Sequence, residues 1–222
     1  MLNILLVKPN TAPGVYEGIA PDLARALASE LDVNLQFVPY AKPGPLADAA
    51  DQGAWDVAFL ADDPTRAKTI AFSPAYLEIV ASYLVPSGSA LRHIEDVDSA
   101  GVRIAIVKNS AYYLYLQRNL RNAELVGANS PEECFRFFVD EGLDAMAGLK
   151  PLLIIDQGKL PESTILPGGF TRIQQAVGTA RNNEAGAAYL FAFVQRLKES
   201  GFVQQAIDTH AVKGVNVAGG ST

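Results

Sequence analysis

A single cysteine, two histidines and one tryptophan among 222 residues leave several chemistries without material. One thiol cannot form an internal disulfide, and Cys134 falls in Glu133-Cys134-Phe135-Arg136-Phe137-Phe138, an amphipathic helical run. That setting predicts a buried side chain rather than a nucleophile. His93 and His210 are far apart and lack metal-ligand spacing, so no metal and no cofactor is expected. Apolar runs stop short of the roughly 18 residues that a membrane span needs. Positive charge is scarce too: 18 Lys and Arg against 24 Asp and Glu give a net charge of -6. No basic stripe is available to a phosphate backbone, which argues against nucleic acid as a partner. Anything anionic must be met in a local pocket. No charged leader with a small-residue cleavage site precedes the first apolar run, Leu2-Asn3-Ile4-Leu5-Leu6-Val7. Either the chain is cytoplasmic, or Met1 stands in place of a removed leader.

What is present is apolar and alternating. Hydrophobic residues make up 49% of the chain and charged ones 19%, as in a well-buried globular protein. The length suits one α/β domain or two lobes of roughly 100 residues each. Strands are predicted at 3–7, 33–38, 57–61, 78–85, 102–107, 124–126, 144–149 and 173–179. Helices are predicted at 23–31, in an Ala-rich piece ending near Gly53, from Ala111 to about Leu120, after the Ser130/Glu133 capping box, and at 151–157, 183–200 and 202–210. Alternating βα units imply parallel sheets. The Gly-rich tail, 215–222, is expected to be disordered.

The most informative stretch runs from Asp56 to Tyr76. Its buried strand is followed by Asp63-Pro64, a carboxylate at N-cap and a proline at the first helical position. Arg66 then falls in the first turn, where the macrodipole disfavours a cation. The functional reading is an anion in front of the strand end; the plainer one is a surface arginine paired with Asp62 or Asp63. Loops at the carboxyl ends of strands bind ligands in open α/β sheets. Asn10, Thr11 and Tyr16 are therefore candidates, with Asn10 equally readable as a turn residue bonding its own backbone. Lys108-Asn109-Ser110-Ala111-Tyr112 makes a second strand-to-helix junction that presents N–H groups, a cation and ring surface. For Ser110, N-cap duty is the alternative.

Three blocks carry a resemblance. Gly53-Ala54-Trp55-Asp56-Val57, Pro64-Thr65-Arg66-Ala67-Lys68 and Phe72-Ser73-Pro74-Ala75-Tyr76 follow one another in the order and spacing of bacterial extracellular solute-binding proteins of the polar amino-acid class. These are the substrate receptors of ABC importers. Gly18-Ile19-Ala20-Pro21-Asp22-Leu23 and Gln174-Gln175-Ala176-Val177-Gly178 resemble the family's first helix entry and its returning strand, so the likeness spans Leu2 to about His210. It implies the type II periplasmic-binding-protein fold: two α/β lobes, each a mainly parallel sheet flanked by helices. Lobe one would hold 1–80 plus 176–222, and lobe two 81–175, with ligand between them.

The resemblance further implies that Arg66 holds a ligand carboxylate, with Asn10, Ala61 and Asp62 nearby. The 108–112 loop of lobe two would add contacts. Three departures stand out. The loop between Phe59 and Arg66 is about two residues shorter than usual, Asn109-Ser110-Ala111-Tyr112 replaces a Gly-Thr-Gly type loop, and Leu149 stands where an acid would meet the ligand's α-ammonium. A non-catalytic receptor for a small anionic or zwitterionic solute follows, monomeric, served by an ABC permease, and periplasmic or extracellular. The alternatives are a dehydratase-like enzyme on the same scaffold, with Glu17, Asp62 or Glu78 as general acid, and an intracellular ligand-sensing module.

Overall fold

Leu6, Gly18 and Ala20 set how the chain enters its first long helix. In the computed structural model, which describes residues 5–12 and 14–219, the Leu6 carbonyl accepts from the Ala20 amide at 3.2 Å. Gly18, at φ 125°, permits that approach, because a Cβ there would run into the same carbonyl. Between them lies a small antiparallel hairpin of β1 (Lys8–Pro9) and β2 (Tyr16–Glu17). Helix α1 (Ile19–Glu30) starts four residues before the predicted 23, with Pro21 in the first turn where no amide bond is lost. It buries Ile19, Leu23 and Leu27.

The two strands predicted nearest the N-terminus differ from expectation. Residues 1–4 lie outside the described residues, and Leu5 and Leu6 form a turn. Residues 33–38 belong to no strand and pair with none among the described residues. Val33, Leu35 and Val38 are exposed there. The alternation of Val33, Leu35 and Phe37 suits a pleated backbone, but a strand needs a ladder partner as well as a pattern.

Helix α2 (Pro43–Asp48) and a single 3-10 turn, Ala50–Gln52, stop at Gly53 in the left-handed region. Strand β3 (Ala58–Ala61) follows. Where Asp63-Pro64 predicted a helix, only one 3-10 turn forms, Arg66–Lys68. Asp63 Oδ1 does accept from the Thr65 amide at 2.8 Å, as a cap would. The chain enters β4 (Ile70–Phe72) at once, however, so no helix accumulates a dipole against Arg66.

Strand β5 (Leu77–Val85) carries the chain from one compact unit into another. Unit one comprises the residues up to Glu78 and those from Gln174 onward; unit two is Ile79–Ile173. After a 3-10 turn at Ile94–Val97, unit two continues as β6 (Arg103–Val107), α3 (Ala111–Asn119), β7 (Glu124–Ala128), α4 (Pro131–Asp140), β8 (Ala145–Leu149), α5 (Lys150–Gln157) and β9 (Thr164–Ile165). Both junction caps expected here form: Ser110 Oγ accepts from Tyr113 and Ser130 Oγ from Glu133, each at 3.1 Å. Strand β6 runs parallel to β7 and β8, while β5 is antiparallel to β8, with Ser82 opposite Gly148. Alternate side chains feed two cores. Tyr83, Ile104 and Ile106 pack with Leu116 of α3. Leu84, Ala105 and Met146 pack with Cys134 and Phe138 of α4 and Leu153 of α5. Cys134 is buried, and burial pushes its thiol up to about 12, so the nucleophile reading has no support.

Strand β10 (Thr171–Ala180) returns to unit one and pairs antiparallel with β3 and β4. The parallel pairing expected of βα units is thus found at β6, β7 and β8, whereas β5 pairs antiparallel with β8 and β9, and β10 with β3 and β4. Helices α6 (Glu184–Glu199) and α7 (Phe202–Thr209) follow. The tail corrects expectation. Residues 215–217 form β11 (Val215–Val217), which pairs with β5, and the Ala218 amide donates to the Tyr76 carbonyl at 3.2 Å. Val215 and Ala218 are buried, so apolar burial outweighs the glycine content on which disorder was expected. Residues 220–222 lie outside the described residues.

Candidate functional site

Beyond the end of β3 the chain folds back so that Arg66 Nη1 donates to the Ala61 carbonyl at 2.9 Å. Arg66 is 5% exposed and Asp63 3%, which places a cation and a carboxylate inside unit one beside the strand end. Burial removes the surface part of the plainer reading of Arg66, while Asp63 and Asp62 still act on it as opposite charges. Desolvation lowers the pKa of the guanidinium from its usual value, with Asp63 and then Asp62 acting in the opposite sense. Arginine keeps its charge under such conditions where lysine would not. Asp62 is exposed as a residue, yet its carboxyl is partly shielded. Burial first and Asp63 second push it above the usual carboxylate range, and Arg66 draws it back. The Asp62 amide donates to the Gln174 carbonyl at 2.9 Å. Gln174 Nε2 in turn donates to Glu78 Oε2 at 3.1 Å.

The hairpin residues form a second group within unit one. Asn10 donates through Nδ2 to Glu17. Its Oδ1 accepts from Thr11 Oγ1 at 3.0 Å and from the Ala12 amide at 3.3 Å. Asn10 therefore does the turn work foreseen as its alternative. The Tyr16 ring stands edge-on to Phe37 with centroids 5.4 Å apart.

The 108–112 loop lies in unit two. Lys108 is exposed, its amide bonds the Ala128 carbonyl at 2.9 Å, and its aliphatic stem lies over Gly127. Asn109 takes φ 60°, the left-handed conformation that asparagine tolerates better than most residues. Ser110 Oγ donates to the Val107 carbonyl at 2.8 Å besides capping α3, which begins at Ala111. The Tyr112 hydroxyl is shifted well above its usual value by burial. Leu149, which the resemblance sets where an acid is expected, is buried.

The structure thus brings together Arg66, Ala61 and Asp62 at one strand end, Asn10, Thr11 and Tyr16 in one hairpin, and Lys108 to Tyr112 in one loop. Sequence reasoning gave Asp63 a capping role and a pairing with Arg66, and gave the side chains of Gln174 and Arg25 no role. A depression of about 430 Å³ opens between α1 and α7, with Asp22, Arg25, Phe202 and Gln205 on its walls. None of the residues put forward as ligand contacts lines it. Among the described residues no group of three or more His, Cys, Asp or Glu is placed to hold a metal. No helix among them is long and apolar enough to cross a membrane.

Two α/β units linked by two strands, with polar junctions at strand ends, define the class of two-unit ligand-binding proteins. The chain belongs to the bacterial extracellular solute-binding proteins, family 3, which it matches over residues 8–212. It is a solute-binding protein, and its partner is a small solute. No curated protein matches it in sequence.

Solved structures share the fold at low identity. A putative ABC-transporter binding component from Wolinella succinogenes, complexed with lysine, is 18% identical over 92% of this chain and 89% of its own, with TM-score 0.74. The amino-acid ABC transporter substrate-binding protein AbpA from Streptococcus pneumoniae, bound to L-arginine, is 21% identical over 92% and 87%, with TM-score 0.72. An ancestral amino-acid-binding protein described as a precursor of cyclohexadienyl dehydratase is 22% identical over 92% and 89%, with TM-score 0.72. Binding proteins predominate among these relatives.

Proposed function

We propose that this protein captures a small carboxylate or amino-acid-like solute for an ABC permease outside the cytoplasm, as a monomer and without turning it over. The observation that carries the reading is the buried Arg66, already fixed to the Ala61 carbonyl at the end of β3. A guanidinium is a planar, permanently charged fork of donors whose geometry matches the two oxygens of a carboxylate. Ala61, Asp62 and the hairpin residues Asn10, Thr11 and Tyr16 are proposed as its neighbours at the ligand. Lys108 to Tyr112 are proposed to add contacts from unit two. The lysine and arginine complexes of the relatives support an amine-bearing carboxylate as one ligand class. Leu149 supports the other, a carboxylate without an α-amino group, because an unpaired ammonium beside it would be costly to bury.

A thermal-shift screen over L-lysine, L-arginine, L-glutamate, L-cysteine, 2-oxoglutarate and succinate separates these classes, since a ligand that binds only the folded state raises the melting temperature. Titration calorimetry on Arg66→Ala tests the anchor. Affinity is expected to vanish while the circular dichroism spectrum stays native, and unchanged affinity removes Arg66 from the site.

Asp62 favours a second reading. A carboxyl raised above its usual range suits a general acid, and the dehydratase alternative requires one in the site. Product formation from prephenate- or arogenate-like acids, lost in Asp62→Asn, would replace the receptor reading by an enzyme.

A further inference from the structure

The hairpin that bears Asn10 and Tyr16 has only two residues in each strand, and Lys8, Pro9 and Glu17 are exposed. A ladder that short does not hold its own position. The neighbouring segment, 33–38, is equally without sheet partners among the described residues. Both meet the side chain of Arg25, which lies outside every ligand-contact assignment above. Its Nη2 donates to the Tyr16 carbonyl. Its Nη1 donates to Asp22 Oδ1 at 2.9 Å. The guanidinium plane also lies over the Phe37 ring, 5.8 Å from the centroid, and Phe37 is the ring against which Tyr16 stands.

Asp22 is itself held from behind. Its Oδ2 lies 2.7 Å from His210 Nε2, and His210 is the C-cap of α7. An unbroken series of contacts therefore runs from the end of α7 through His210, Asp22 and Arg25 to the backbone of β2. All of it lies within unit one. The series needs a planar, multi-donor cation at its centre: a lysine could keep Asp22 or the Tyr16 carbonyl, but not both while covering Phe37.

We propose that Arg25 is a positioning residue for the ligand hairpin, fixing β2 and Phe37 to α1 and, through Asp22 and His210, to α7. This rests on the reading of Asn10 and Tyr16 as ligand contacts. The chemistry asked of Arg25 is attachment only, with no contact to the solute.

Hydrogen exchange by mass spectrometry on the full chain tests the attachment without any ligand. In Arg25→Ala, peptides covering the Asn10–Val15 backbone bond, formed by the Asn10 amide and the Val15 carbonyl at 2.9 Å, should exchange at least about tenfold faster. Peptides within α1 and the melting temperature should stay near wild type. Arg25→Lys should preserve α1 protection and still fail to restore the hairpin, a split that a merely structural charge would not produce. Unchanged hairpin exchange in Arg25→Ala, or full restoration by lysine, overturns the proposal.

The functional arm uses whichever of L-lysine, L-arginine, L-glutamate, L-cysteine, 2-oxoglutarate and succinate raises the wild-type melting temperature. Its Kd should rise about tenfold in Arg25→Ala. A loosened hairpin with unchanged Kd overturns the link to ligand, and unchanged Kd in Arg66→Ala is a separate failure, that of the site reading itself.

Discussion

Arg66 and Lys108 are both cations just beyond the end of a β-strand, one in each unit, and they are held in opposite ways. Arg66 is buried, tied to the backbone of its own strand and flanked by two carboxylates. Lys108 is exposed, and its stem rests on a glycine surface. The first has already lost its freedom and its hydration before any solute arrives, so its bonds to an anion need little further ordering. The second keeps both and gains correspondingly less from an ion pair. The same charge at the same kind of junction therefore suits different tasks: Arg66 an anchor, Lys108 an attraction that salt can screen.

The largest effect that could break this contrast is on affinity. Arg66→Ala should weaken binding of a carboxylate probe by at least about a hundredfold, the scale of a truncated buried charge pair. Lys108→Ala should weaken it no more than about fivefold, the scale of an exposed one. Comparable losses in side-by-side titrations would show that burial does not rank the two. Next in size is the loop that bears Lys108. Ser110→Ala removes the cap on the Tyr113 amide and should cost about 1 kcal/mol in urea denaturation; no loss would mean that the junction is not held by its cap.

A smaller effect concerns the shielding around Arg66. The raised carboxyl of Asp62 means that the folded state binds this proton more tightly than the unfolded chain does. Its ionisation therefore costs stability, and the cost appears as pH rises through the folded value. Asp62→Asn should melt slightly above wild type at pH 7, and the difference should shrink as pH falls towards the unfolded aspartate value of about 3.9. A variant that melts lower at pH 7 contradicts the sign. Smallest of all is Gly127→Ala. The added methyl would meet the Lys108 stem at 2.7 Å, and a flexible side chain can move aside. Stability should change by less than about 0.5 kcal/mol while Lys108 is displaced, which a crystal structure of the variant would reveal.

Unit two was legible in sequence because each of its elements carries its own signal. Ser110 and Ser130 cap helices as read, β6 is an apolar run ended by a turn and β8 one that follows a turn, and Gly142 takes the positive φ that a stop requires. Unit one was less legible because its structure depends on partners distant in sequence. Val33, Leu35 and Phe37 have the right alternation for a strand, yet alternation does not supply a ladder. Asp63-Pro64 has the right start for a helix, but the start does not supply length, and β4 takes the chain two residues after the turn ends. Val215 is an apolar residue in a glycine-rich context, and only its pairing with β5 shows which property prevails. For the candidate site, motif order singled out Arg66. Its burial, the part of Asp63 and the reach of Arg25 depend on side-chain direction, which no local pattern carries.

The two strands that change unit also set an order of synthesis. Unit two is one continuous segment and is complete when Ile173 emerges. Unit one begins first but closes later, since the ladder that pairs Ala61 of β3 with Gln175 needs β10. During translation the half with contiguous sequence can therefore close while the half bearing Arg66 still lacks β10. Unit one is the last to be finished, and a chain stopped short of β10 would carry Arg66 beyond a strand that lacks this partner.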